Sequence, residues 1–149
     1  MTLAGLHVGE WVEASQEVTS ELTASHLGSG TLRVYATPAM ALFVERTCHG
    51  LLARHLPEGK TTVGVELRVR HLAPTPMGSL VRLRAEVVGI EGEMVSFHAE
   101  LRDDVEPVGE VEHRRRVIDL ERFLRRVETK AKGKPIALPG SALSLPEGT

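Results

Sequence analysis

The sequence predicts an α+β domain, a curved antiparallel sheet wrapped around one long helix. Three observations lead there. The segment from Pro38 to His55 has a helical start and stop and is apolar around most of its circumference. Three later segments alternate apolar and polar residues with the two-residue period of half-buried strands. These strands follow the helix in one unbroken run, and a helix that apolar needs a sheet around it.

Each element has a local cause. Thr37 suits an N-cap and Pro38 the first helical position, where a missing N–H costs nothing; Pro57 and Gly59 stop the helix. In the first strand after it, Val63, Val65, Leu67 and Val69 are expected on the core face, with Gly64, Glu66, Arg68 and Arg70 outward. Val81, Leu83, Ala85 and Val87 mark a second strand, and Val95, Phe97, Ala99 and Leu101 a third. Gly89 to Glu93 is the hairpin between them. Val108 to Ile118 reads as a fourth strand, less cleanly patterned, and Glu13 to Val18 as a fifth. Leu120, Phe123, Leu124 and Val127 recur at helical spacing near 119–130. One helix held in such a sheet is the hot-dog fold, and its open sheet edge predicts a homodimer or a dimer of dimers. Residues 1–130 are expected to form this domain. From Lys130 the chain turns rich in Pro and Gly, so 131–149 is expected to be a tail that folding does not require.

Composition narrows the function without naming it. At 149 residues, with 42% hydrophobic and 26% charged, the chain is one globular domain. A net charge of −2 and 3% aromatics offer neither the field nor the stacking surface for nucleic acid. No apolar run reaches the roughly 20 residues of a membrane helix, and the N-terminus lacks a signal-peptide pattern. Cys48 stands alone, which excludes an internal disulfide and a Cys-cluster zinc site, and the histidines show no metal-binding spacing. A soluble, cytoplasmic protein without metal is expected.

Four residues stand out chemically. Glu45 lies in the apolar helix with Ala41, Leu42, Cys48 and His49 one turn away and no Lys or Arg among them. A desolvated functional carboxylate is one explanation, and a residue at the helix margin paired with a distant Arg is the other. His71 continues the parity of Leu67 and Val69 and ends its strand at the stiff Leu72–Gly78 turn, placed as an acid, a base or a core-edge histidine. Thr37 caps the helix on one reading and orients a carbonyl at the helix start on another. Gly64 interrupts a Val-rich strand, as at a bend or a close ligand approach. The run Glu110 to Arg116 carries basic residues that fit a solvated strand face or a groove for coenzyme A phosphates.

Taken together, Ala36-Thr37-Pro38, Glu45 eight positions on, Val63-Gly64-Val65, and His71-Leu72-Ala73-Pro74-Thr75-Pro76-Met77-Gly78 resemble the fluoroacetyl-CoA thioesterase group of hot-dog thioesterases. The likeness runs from about Val18 to Phe123. It implies a catalytic set of Thr37, Glu45 and His71, Gly64 at the bound thioester, a site at a dimer interface, and no cofactor beyond the coenzyme A of the substrate. One departure stands out. Fluoroacetyl-specific members carry phenylalanines in the lid before the helix, whereas Leu27-Gly28-Ser29-Gly30-Thr31-Leu32 has no aromatic. The resemblance therefore implies hydrolysis of a small or medium acyl-CoA rather than a fluoroacetyl preference. Its expected course is attack by Glu45 or by a water it activates, with a backbone N–H near Gly64 polarising the carbonyl and His71 moving the proton. An acyl-CoA hydratase and a non-catalytic acyl-CoA-binding module are the alternatives.

Overall fold

A computed structural model describes residues 3–133. Its sheet has five strands, β1 (Trp11–Glu17), β2 (Lys60–His71), β3 (Leu80–Glu91), β4 (Met94–Arg102) and β5 (Pro107–Asp119), in the order β1-β3-β4-β5-β2. The neighbouring pairs from β1 to β5 are antiparallel. The ion pairs Glu66–Arg114, Arg68–Glu112 and Arg70–Glu110 step down β2 as they step up β5, so that pair is antiparallel too. All three are exposed and contribute little stability.

Two short helical turns, a 3-10 turn at Ser20–Leu22 and α1 (Ala24–Leu27), precede the long helix α2 (Thr37–Ala53). Burial of α2 follows one face rather than the whole circumference: Ala39, Met40, Phe43, Val44, Cys48, Leu51 and Leu52 are buried, while Leu42 is exposed. That face lies in one core with Leu83, Ala85, Val87, Val95, Phe97, Ala99, Leu101 and Val111 from the sheet. Each fully buried Val or Leu here contributes about 1.5–3 kcal/mol. Gly109 lets the helix seat, since a Cβ there would meet Met40 Sδ at 2.5 Å.

Strand β2 departs from the expected alternation. Thr62 is buried and a Cβ on Gly64 would point at Glu45, yet Glu66, Arg68 and Arg70 reach outward and Leu67 and Val69 inward. The parity therefore shifts by one residue between Gly64 and Glu66, as at a β-bulge. Val65, expected in the core, is 50% exposed, and Gly64, expected outward, faces the helix.

The described chain divides after Ile118 into two compact units. Beyond it, α3 (Leu120–Ala131) is capped by Asp119, whose side chain accepts from the Arg122 N–H at 2.9 Å. Leu120, Phe123, Leu124 and Val127 lie exposed along it. The expected tail falls almost wholly at 134–149, outside the described residues.

Candidate active site

The N-terminus of α2 and the end of β2 build the first half of the site. Thr37 is the first residue of α2; Ala36 takes the cap position, and no side chain makes a capping bond. The capping role expected for Thr37 is therefore not the one it has. Its Oγ1 lies 2.8 Å from His71 Nδ1. The other imidazole nitrogen, His71 Nε2, is buried without a hydrogen-bond partner among the described residues. Burial pushes the His71 pKa below its ordinary value, opposed by a hydrogen bond at the Ala73 backbone. The ring is therefore neutral near pH 7, with one nitrogen held by a hydroxyl and the other free to exchange a proton. Two prolines stiffen the turn after it, and buried Thr75 anchors that turn by donating to Asp103 Oδ2 at 3.0 Å.

The second half lies two turns further along α2. Glu45 faces the shifted part of β2, where a Cβ on Gly64 would come within 2.8 Å of Glu45 Oε2. Only a glycine leaves the carboxylate room against that backbone. Glu45 is not isolated: Arg115 Nη1 stands 3.9 Å from Oε2. The Glu45 side chain is 39% exposed, and Arg115 only 8%. Of the two explanations offered by the sequence, the structure supplies the distant arginine, and it puts that arginine against Gly64 as well, 3.4 Å from the position a Cβ would take.

Arg115 and His113 are the residues that sequence reasoning missed. Both lie in the basic run expected to be a solvated face, yet both are buried. Arg115 donates from Nε to Thr62 Oγ1 at 3.0 Å and from Nη2 to the Thr62 carbonyl at 3.1 Å. His113 bridges Arg115 Nη1 and the Glu66 carbonyl. Their signal was parity: Val111, His113, Arg115 and Val117 alternate with Glu110, Glu112, Arg114 and Arg116, and Val111 and Val117 are core residues. Cys48 lies in the same electrostatic neighbourhood. Burial pushes its thiol up to about 12, against the pull of Arg115 and with the push of Glu45, so it is no nucleophile.

The four expected residues thus form two pairs, Thr37 with His71 and Glu45 with Gly64. No hydrogen bond or ion pair joins the pairs among the described residues. Eight residues of helix separate Thr37 from Glu45 by about 12 Å, and seven residues of strand separate Gly64 from His71 by about 23 Å. A hollow of about 480 Å³ lined by Glu13, Ser15, Arg82, Arg84, Glu100 and Arg102 lies elsewhere and contains none of these residues. Among the described residues no group of His, Cys, Asp and Glu could hold a metal, and no helix is long and apolar enough to cross a membrane.

In sequence and fold the chain matches a known set of proteins. The family model described as fluoroacetyl-CoA-specific thioesterase matches residues 18–121. The chain belongs to that family. Its curated relative, the fluoroacetyl-CoA thioesterase of Streptantibioticus cattleyicolor, is 32% identical over 132 residues, covering 85% of this chain and 95% of the relative. A solved structure of a fluoroacetyl-CoA thioesterase superposes with a TM-score of 0.80 at 32% identity, over 85% of this chain and 98% of that one. A hot-dog-like protein from Thermanaerovibrio acidaminovorans matches as closely in shape, TM-score 0.80, at 25% identity over 85% and 94% of the two chains. The α+β sheet-and-helix architecture of this thioesterase family is thus that of the hot-dog fold.

Proposed function

We propose that this acyl-CoA thioesterase hydrolyses a small or medium acyl-CoA at a site composed of Thr37 and His71 from one chain and Glu45 and Gly64 from its partner. Membership of a thioesterase family gives the reaction class, thioester hydrolysis. The observation that carries the rest is the 2.8 Å contact of Thr37 with His71, whose Nε2 is left unpartnered, while the carboxylate sits apart against Gly64.

Strand β2 is twelve residues long and lies at the sheet edge, so one row of its backbone groups is open to another strand. Antiparallel pairing of β2 with a second copy would run each His71 end alongside the other chain's Gly64 end. That closes the distance between the two pairs and supports a homodimer with two sites at its interface.

With His71 Nδ1–H donating to Thr37 Oγ1, the ring is neutral and its Nε2 is bare, able to take up a proton. Glu45, half exposed and with room for a water, takes a proton as that water attacks the thioester carbonyl. The Gly64 N–H stabilises the resulting oxyanion. His71 Nε2 takes that proton from Glu45 and passes it to the departing thiolate as the carbon–sulfur bond breaks. Products are the carboxylate and free coenzyme A; Glu45 and His71 are back in their starting states, and the product acid yields its proton to solvent. The reaction needs no metal or further cofactor, and its substrate places the enzyme with the cytoplasmic acyl-CoA pool. The segment Leu27–Leu32 before α2 has no aromatic residue, which supports acyl groups other than fluoroacetyl.

Thiol release measured across a panel of acyl-CoAs tests the proposal. Release of coenzyme A with a preference among chain lengths is expected. An absorbance change on enoyl-CoA without thiol would indicate a hydratase, and binding with neither signal a carrier module.

A further inference from the structure

Buried titratable groups that the proposed reaction does not use are the least explained feature of the chain, and His113, 1% exposed, is the one among them that joins β2 to Arg115. It sits on the core face of β5 between two partners of opposite kind. Its Nδ1 lies 2.8 Å from the Glu66 carbonyl oxygen, which can only accept. Its Nε2 lies 3.2 Å from Arg115 Nη1, which can only donate. The two contacts fix the ring: the hydrogen is on Nδ1, Nε2 is bare, and the imidazole is neutral. A proton on Nε2 would set an N–H against a guanidinium N–H in a buried place.

Both partners matter to the site. Glu66 is where the shifted part of β2 rejoins regular alternation, so its inward carbonyl is one end of the segment that presents Gly64 to Glu45. Arg115 Nη1, the atom bound to His113, is also the atom that stands 3.9 Å from Glu45 Oε2. Phe97 on β4 stacks beside the ring, with centroids 6.4 Å apart and planes 27° from parallel. The charged and titratable groups facing His113 are Arg115 on its own strand and Glu45 on α2, with Cys48 behind Arg115.

We infer that His113 is a positioning residue of the thioesterase site: as its neutral Nδ1–H tautomer it ties the Gly64-bearing turn of β2 to the guanidinium that faces Glu45. This rests on the thioesterase reading of the site and adds the device that holds the carboxylate side in register with the thioester. Misplacing a reacting group by about 1 Å costs on the order of 100-fold in rate. Loss of His113 therefore lowers kcat while substrate binding, which depends on the remainder of the groove, changes little.

The test combines two variants with a spectrum of the unmodified protein. His113→Phe keeps the ring volume and the stack on Phe97 but offers neither donor nor acceptor. His113→Gln offers one of each. In thiol-release assays the Phe variant should lose roughly 10- to 100-fold in kcat with KM within about threefold, and the Gln variant should recover most of that loss. Nitrogen NMR of the wild-type imidazole should show a hydrogen on Nδ1, none on Nε2, and no protonation at pH 6.5. An Nε2–H tautomer overturns the inference whatever the kinetics. So does a His113→Phe protein that is folded and turns over at the wild-type rate, or a Gln variant no better than Phe. Absence of thiol release from the wild type on every acyl-CoA would instead overturn the thioesterase reading, and this inference with it.

Discussion

The two ends of the candidate site are built on opposite plans. At the Thr37–His71 end there is one hydrogen bond, a stiff turn and an unpartnered buried nitrogen. At the Glu45–Gly64 end a carboxylate lies among an arginine, a second histidine and a glycine whose missing Cβ leaves the carboxylate its place. In the proposed reaction the first end has only to keep one imidazole neutral and aimed. The second is elaborate because a carboxylate beside a buried guanidinium needs every remaining donor and acceptor satisfied. Thr62, His113 and the Glu66 carbonyl supply those partners. In the proposed reaction neither end holds the reacting groups alone.

Removing a reacting group from either end should have the largest effect. Glu45→Gln keeps the shape and His71→Ala empties the ring position; each should reduce thiol release roughly 10²- to 10⁴-fold. The double variant should lose far less than the product of the two, because the groups act as one unit. Equal rates for wild type and Glu45→Gln would leave the elaborate end as a structural ion pair.

Gly64→Ala is the next largest. The added Cβ meets the flexible end of Glu45 at 2.8 Å and approaches Arg115 Nη1 to 3.4 Å, so the carboxylate must move. About 10- to 100-fold should be lost in kcat, with the melting temperature changed by a few degrees at most, since the side chain and not the backbone gives way. A large fall in melting temperature would show that the turn of β2 is rigid.

Thr37→Val sharpens the contrast at the simple end. A capping threonine contributes about 1 kcal/mol, but Thr37 is exposed and makes no capping bond. Its loss should slow turnover while leaving thermal stability nearly intact, as melting and thiol-release measurements on one sample would show.

The smallest effect is on pH. His71 and His113 have pKa values lowered by burial, so the unfolded chain binds protons more readily than the native one below about pH 6.5. Stability carried by the neutral rings is present above that pH and is lost as pH falls toward the native values. His55 runs the other way. Its hydrogen bond to Glu10 raises its pKa, so its contribution is present at low pH and fades as pH rises through the raised value. Chemical denaturation of wild type and His113→Gln between pH 5 and pH 8 should show a shallower acid loss in the variant.

The same contrast explains what was legible in the sequence. Every strand and both long helices were, because alternation and the Pro38 start are local signals. Thr37, Glu45, Gly64 and His71 were singled out, yet their pairing was not, because it depends on where β2 crosses α2. The parity shift at Val65 escaped because a bulge has no composition of its own. His113 and Arg115 were hidden by their charge: in a run of Glu and Arg, two polar residues on the core face look like solvated ones until the strand is laid beside Val111 and Val117. Burial limited to one face of α2 has a similar cause, since apolar residues around a helix do not say which side the sheet will cover.

Mixing two inactive variants tests the composite site most directly. Co-expressed with different tags, His71→Ala and Glu45→Gln chains form a mixed dimer in which one site carries both defects and the other carries neither. A site shared between chains predicts that the randomly assembled mixture regains about a quarter of wild-type thiol release, through the one intact site of each mixed dimer. If Thr37, His71 and Glu45 of the same chain served one substrate, both sites of the mixed dimer would be defective. The mixture would then stay as inactive as its parents, and the division of the site between two chains would be wrong.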